Sequence, residues 1–139
     1  AMYHDVDATL FGYKPCEIPQ MDAYCFPADK NLIRAAEKAF AKTDAAKKYT
    51  LVKGRVASGD RFIADGKAKR RIKELCNPAC IEMEGAAIAH TCYLNDVPFV
   101  IIRAMSDAAD DNGGKAIAFN EKAAAEESAA IVIEMMKLL

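Results

Sequence analysis

Val97-Pro98-Phe99-Val100-Ile101-Ile102-Arg103-Ala104-Met105-Ser106-Asp107 is the stretch on which the fold reading turns. Apart from Arg103, residues 97–105 are apolar. A near-continuous apolar run is what a strand shows when both faces of a parallel sheet are covered. Upstream, Gly85 to Leu94 reads as a helix, with Ala86, Ala87, Ala89 and His90 at close-packing or neutral positions. Ala79 to Met83 reads as a brief strand. Before it, residues 64–76 form a cationic helix with Ile72, Leu75 and Cys76 as its apolar stripe, closed by Pro78. Tyr49 to Ala57 reads as a short strand ending in Ser58-Gly59-Asp60. Apolar positions 32, 33, 35, 36, 39 and 40 give a helix over 29–42, with Asp29 as its N-cap. Prolines 15, 19 and 27 make 13–27 a loop. Val6, Ala8 and Leu10 alternate with Asp5, Asp7 and Thr9, the period-two signal of a strand. Downstream, Gly113 and Gly114 mark 108–116 as a loop, and Asn120 caps a last helix reaching Leu139.

Strands alternating with helices indicate the α/β class, a three-layer α/β/α arrangement with a mostly parallel or mixed central sheet. Ligands of such sheets sit outside the carboxyl ends of the strands. That rule selects Ser58 to Ile63, Glu82 to Glu84 and Arg103 to Asp107.

Composition narrows the function. The chain has 139 residues, 53% of them hydrophobic and 28% charged, enough apolar material for one packed domain. The formal net charge is −1 and no basic block occurs, which speaks against sequence-independent nucleic-acid binding. The longest uninterrupted apolar run is Val97 to Ile102, far short of the roughly 20 residues a membrane span needs. His4, Asp5 and Asp7 stand where a secretory signal would be apolar. Cys16, Cys25, Cys76, Cys80 and Cys92 are odd in number and lack a Cys-x-x-Cys pair, as expected of free thiols in a reducing cytosol. Cys76, Cys80, His90 and Cys92 match no structural zinc spacing.

Three groups carry candidate chemistry. Asp107 follows the most apolar strand, where partial desolvation raises a carboxyl pKa and suits a general acid. A Ser106-Asp107 pair read alone is more often a cap. Glu82-Met83-Glu84 sits at another strand end. A carboxylate there can accept from paired sugar hydroxyls, or can simply favour a helix N-terminus. Arg103 inside an apolar strand demands a carboxylate or phosphate partner. Phe62 and Ile63 offer an aromatic face and backbone groups to a planar base, or plain core. The glycines form no phosphate loop and no Gly-x-Ser-x-Gly elbow. His90, in an alanine-rich helix, reads as structural.

Together, Ser58-Gly59-Asp60-Arg61-Phe62-Ile63, Ile81-Glu82-Met83-Glu84-Gly85-Ala86-Ala87-Ile88-Ala89-His90 and Val97 through Asp110 resemble the bacterial 5′-methylthioadenosine/S-adenosylhomocysteine nucleosidases of the purine nucleoside phosphorylase superfamily. Tyr3 through Tyr13 resembles them too, and the likeness is collinear from end to end. The Met-Glu and Ser-Asp elements alone would indicate only the wider superfamily. The resemblance implies hydrolysis of an N-glycosidic bond, releasing adenine and a 5-thioribose, in methionine salvage. It implies Asp107 as the acid at adenine N7, supported by Ser106, and Arg103 as an aid in placing the water. It implies Glu82, Met83 and Glu84 as substrate-binding residues, with Glu84 on the ribose hydroxyls and Met83 against the sugar, and Phe62 and Ile63 on the purine. Phe119 would wall the 5′-alkylthio pocket, although the loop before it is slightly long.

By the same resemblance, residues 1–139 are the carboxyl-terminal part of a single nucleosidase domain. The resemblance implies about the first 90 residues of the family's domain before the point matched by Ala1, carrying the first strands and the carboxylate that activates water. The 139-residue chain alone is then expected to be inactive. The resemblance further implies no cofactor, a cytoplasmic location, and a homodimer in which a partner subunit closes the 5′ pocket. The expected partner is a small adenine nucleoside, not nucleic acid or a membrane. A related phosphorylase, another nucleosidase, or a non-catalytic adenine-nucleoside-binding fragment are the alternatives.

Overall fold

The computed structural model describes residues 1–21, 23–105 and 121–139. The chain forms two compact units, Ala1–Ala28 with Lys53–Ile101, and Asp29–Val52 with Ile102–Leu139.

The first unit is built on a parallel sheet of β1 (Met2–Tyr3), β2 (Val56–Ser58) and β3 (Cys80–Glu82), in that order. In register, Met2 faces Ala57 and Ala57 faces Ile81, while Tyr3, Ser58 and Glu82 form the neighbouring row. Side chains alternate across a strand, so these rows lie on opposite faces. Helix α3 (Gly66–Cys76) covers the first face: its Ile72 and Cys76 join Met2, Cys16 and Ala57 in a buried cluster with Ile63 and Ile81 packed against it. Helix α4 (Gly85–Leu94) covers the second, where Ala89 meets Ile18, Phe26 and Phe99, with Tyr3 and Ile101 alongside. A parallel sheet sandwiched between helices is the expected α/β layering. α3 is capped by Asp65, whose Oδ1 accepts from the Ala68 N–H at 2.8 Å, and ends at Asn77 in the left-handed region (φ 42°) before Pro78.

Phe26 is the largest fully buried side chain among the described residues. It stacks on the His90 ring (4.8 Å, 15°) and meets Tyr3 edge-on (6.5 Å, 89°). Phe26→Ala is expected to cost about 3–5 kcal/mol of stability, read by urea or thermal unfolding. A cost below about 1 kcal/mol would mean the aromatic cluster does not hold this unit together.

In the second unit, α1 (Lys30–Phe40) packs on α5 (Glu121–Met136), with the short α2 (Ala45–Lys48) between them in sequence. Asp29 caps α1 as expected, accepting from the Asn31 and Leu32 N–H groups at 2.8 and 2.9 Å.

Three expected strands differ. Val6 to Leu10 is not a strand: Asp7 Oδ1 accepts from both the Thr9 N–H (3.0 Å) and its hydroxyl (2.6 Å), and Thr9–Phe11 is a 3-10 turn. A local side-chain bond offers the backbone an alternative to a ladder and overrides the alternation. Of Tyr49 to Ala57, only the end pairs, and Leu51 and Val52 are exposed. Residues 97–105 make no ladder among the described residues, although Phe99 is buried. Apolarity reports burial; a strand also needs a hydrogen-bonded neighbour. Among the described residues no helix is long and apolar enough to cross a membrane.

Candidate functional site

β2 and β3 end side by side, with Ser58 opposite Glu82. The chain leaving β2 carries Phe62 and Ile63; the chain leaving β3 carries Met83 and Glu84 into α4. The first N–H groups of a helix have no intrahelical acceptor. Glu84, at the N-cap position of α4, makes no side-chain cap. Two strand-end side chains do so instead. Glu82 accepts from the Gly85 N–H at 3.0 Å on Oε1 and 2.8 Å on Oε2, and from the Glu84 N–H at 3.2 Å. Ser58, only 2% exposed, donates its hydroxyl to Glu82 Oε1 and accepts from the Ala86 N–H at 2.7 Å. Gly85 lets this close: a Cβ there would come 3.1 Å from Glu82 Oε1.

This network displays the turn it supports. Met83 is 43% exposed and Glu84 is exposed. Phe62, on the neighbouring strand end, is 70% exposed, so it is not core. Ile63 is half-buried against the cluster of Met2 and Ala57, leaving its backbone as the part able to meet a ligand. Arg103, in the second unit, is exposed. Burial is therefore not what would require an ion partner there. Ser106, Asp107 and Phe119 lie outside the described residues.

Sequence reasoning missed the roles of Ser58 and His4. The strand-end rule selects the segment that starts at Ser58 but gives Ser58 itself no task. Its partner, Glu82, is set by parallel register, which no local pattern announces. His4 lies over Gly59, where any Cβ would run into its ring. Its Nε2 is buried with no hydrogen-bond partner among the described residues. Asp5 Oδ2 accepts from the Asp60 N–H at 2.8 Å, tying the ends of β1 and β2. Burial chiefly, then Asp5 and Asp60, pushes the Tyr3 phenol above its usual pKa. His90 is structural as read, with Tyr3 Oη 3.5 Å from Nδ1 and Met21 Sδ 3.0 Å from Nε2. Burial also raises the Cys16 and Cys76 thiols, which keeps them protonated and unreactive at neutral pH.

A carboxylate displayed at a helix N-terminus, with an exposed aromatic ring in the segment that follows the adjacent strand, suits a ligand with paired hydroxyls and a planar base. Such a site, outside the carboxyl ends of a parallel sheet, lies where α/β proteins of this layering receive small ligands. The phosphorylase superfamily model matches residues 1–137, and the chain belongs to that superfamily. It is 42% identical over 141 residues to the 5′-methylthioadenosine/S-adenosylhomocysteine nucleosidase of Staphylococcus haemolyticus, covering 99% of this chain and 59% of that protein. It is similar to the crystal structure of the Neisseria meningitidis nucleosidase of the same name in complex with methylthio-immucillin-A: 39% identity, TM-score 0.82, 99% of this chain and 58% of that one. Futalosine hydrolase of Helicobacter pylori is similar at 29% identity and TM-score 0.84, over 99% of this chain and 57% of that one. The chain thus spans under three fifths of the length of these relatives.

Proposed function

We propose that the protein hydrolyses the N-glycosidic bond of 5′-methylthioadenosine and S-adenosylhomocysteine, releasing adenine and a 5-thioribose. The observation that carries the reading is the Met83–Glu84 turn, displayed at the start of α4 by the Glu82–Ser58 network. The 42% identical relative bearing that activity in its name supports the choice of substrate.

In this reading Phe62 stacks on the purine and the Ile63 backbone meets its edge. Met83 packs on the sugar. Glu84 accepts from the ribose hydroxyls and, being anionic, stabilises positive charge developing on the ribosyl ring. The bond from C1′ to the purine breaks with its electron pair leaving on the base. Asp107, supported by Ser106, gives its proton to N7, so adenine departs neutral. Arg103 helps to place the water that attacks C1′; the proton that water gives up passes to solvent, from which Asp107 regains its own. Phe119 walls the 5′ substituent. The reading carries a homodimer with it: Leu10 and Phe11, 91% and 80% exposed, are apolar surface that a second subunit would cover.

The test is adenine release from 5′-methylthioadenosine by the full native protein, in buffer with and without phosphate. Turnover without phosphate, with free 5-thioribose as co-product, is expected. Turnover only with phosphate would make the protein a phosphorylase. Binding of the nucleoside without release would make it a binding protein.

A further inference from the structure

We infer that Glu82 and Ser58 are positioning residues that hold the Met83–Glu84 turn for the sugar, and that Glu82 is not itself a sugar ligand. The inference rests on the proposed reading of Glu84 as the ribose-binding carboxylate.

Acceptor capacity decides it. A carboxylate offers about four lone-pair directions. Oε1 of Glu82 takes the Ser58 hydroxyl and the Gly85 N–H; Oε2 takes the Gly85 and Glu84 N–H groups. Nothing remains for a diol. One of the bonded N–H groups belongs to Glu84, so Glu82 sets the backbone position from which the Glu84 side chain reaches out. Ser58 completes the clamp. Its single hydroxyl is a donor to Glu82 and an acceptor from Ala86, and so ties the end of β2 to both β3 and α4. It is the one buried polar side chain among the described residues, and a buried hydroxyl with both functions used is costly to replace. The same geometry says why the two glutamates, two residues apart, have different tasks. Glu82 lies on the face that α4 covers and is drawn under the helix start, while Glu84 lies past the turn and stays exposed.

Glu82→Gln keeps the shape but replaces one acceptor oxygen by an NH₂ that confronts N–H donors. It is expected to lower kcat/KM for 5′-methylthioadenosine by about 10²-fold, the cost of a small misplacement. It should also erode the preference for the ribo substrate over its 2′-deoxy analogue. Because Glu82 acts through Glu84, the double variant Glu82→Gln/Glu84→Gln should be no slower than Glu84→Gln alone. Ser58→Ala is the second variant. It should shift the ribo/deoxy ratio in the same direction, which a loss of stability by itself would leave unchanged. Additive losses in the double variant would make Glu82 a direct ligand and overturn the inference. A Glu82→Gln or Ser58→Ala protein with the wild-type ratio would overturn it as well, provided Glu84→Gln is crippled. If Glu84→Gln behaves as wild type, it is the reading of Glu84 that fails.

Discussion

Asp107→Asn is expected to lower kcat for adenine release by about 10²–10⁴-fold, the usual contribution of a positioned general acid. The adenine anion is a poor leaving group, so the bond to C1′ breaks readily only when N7 is protonated as it stretches. Asparagine preserves size and can still donate a hydrogen bond, but it has no proton to give up. The loss should therefore fall on kcat with little change in KM, the pattern of an interaction made in the transition state alone. A 5-thioribosyl substrate whose leaving group departs as a stable anion, such as 4-nitrophenolate, needs no acid. Its hydrolysis should survive the substitution nearly intact. Equal losses on both substrates would mean that Asp107 shapes the pocket and does not protonate the base. A variant as fast as wild type would remove Asp107 from the reaction altogether.

Legibility in the sequence followed what is local. The expected helix Gly85 to Leu94 matches α4 to the residue, and Asp29 caps α1, because helix caps and apolar spacing are written within a few positions. Strands were less legible, since a strand exists only by virtue of its neighbour. Residues 97–105, apolar apart from Arg103, bury only Phe99 and make no ladder among the described residues, and Val6 to Leu10 shows alternation defeated by a single aspartate that bonds its own backbone. The site divides along the same line. Glu82 and Glu84 look equivalent in sequence, two carboxylates around a methionine. Only the parallel register that sets Ser58 against Glu82 separates the one turned inward from the one displayed. Burial of Arg103 was illegible for a related reason: its apolar neighbours suggested a desolvated side chain, while it is exposed.

Glu84→Gln is the other large expected effect, about 10²–10³-fold in kcat/KM, comparable to removing a preorganised group that meets developing charge. Two losses combine in it. A carboxylate can accept from both the 2′- and 3′-hydroxyls, whereas the glutamine amide has one oxygen and presents its NH₂ to the second hydroxyl. The negative charge also disappears, just where the departing base leaves positive charge on the ribosyl ring. The helix start does not compensate, because Glu82 and Ser58 already occupy the first N–H groups of α4. The two losses separate experimentally. On the 2′-deoxy analogue the hydroxyl contact is gone already, so the variant should lose less there than on the ribo substrate, and the remaining deficit measures the electrostatic part. Equal deficits on both substrates would assign Glu84 to charge stabilisation without recognition of the 2′-hydroxyl. No deficit on either would take the displayed turn out of the chemistry, and with it the observation on which the proposed function rests.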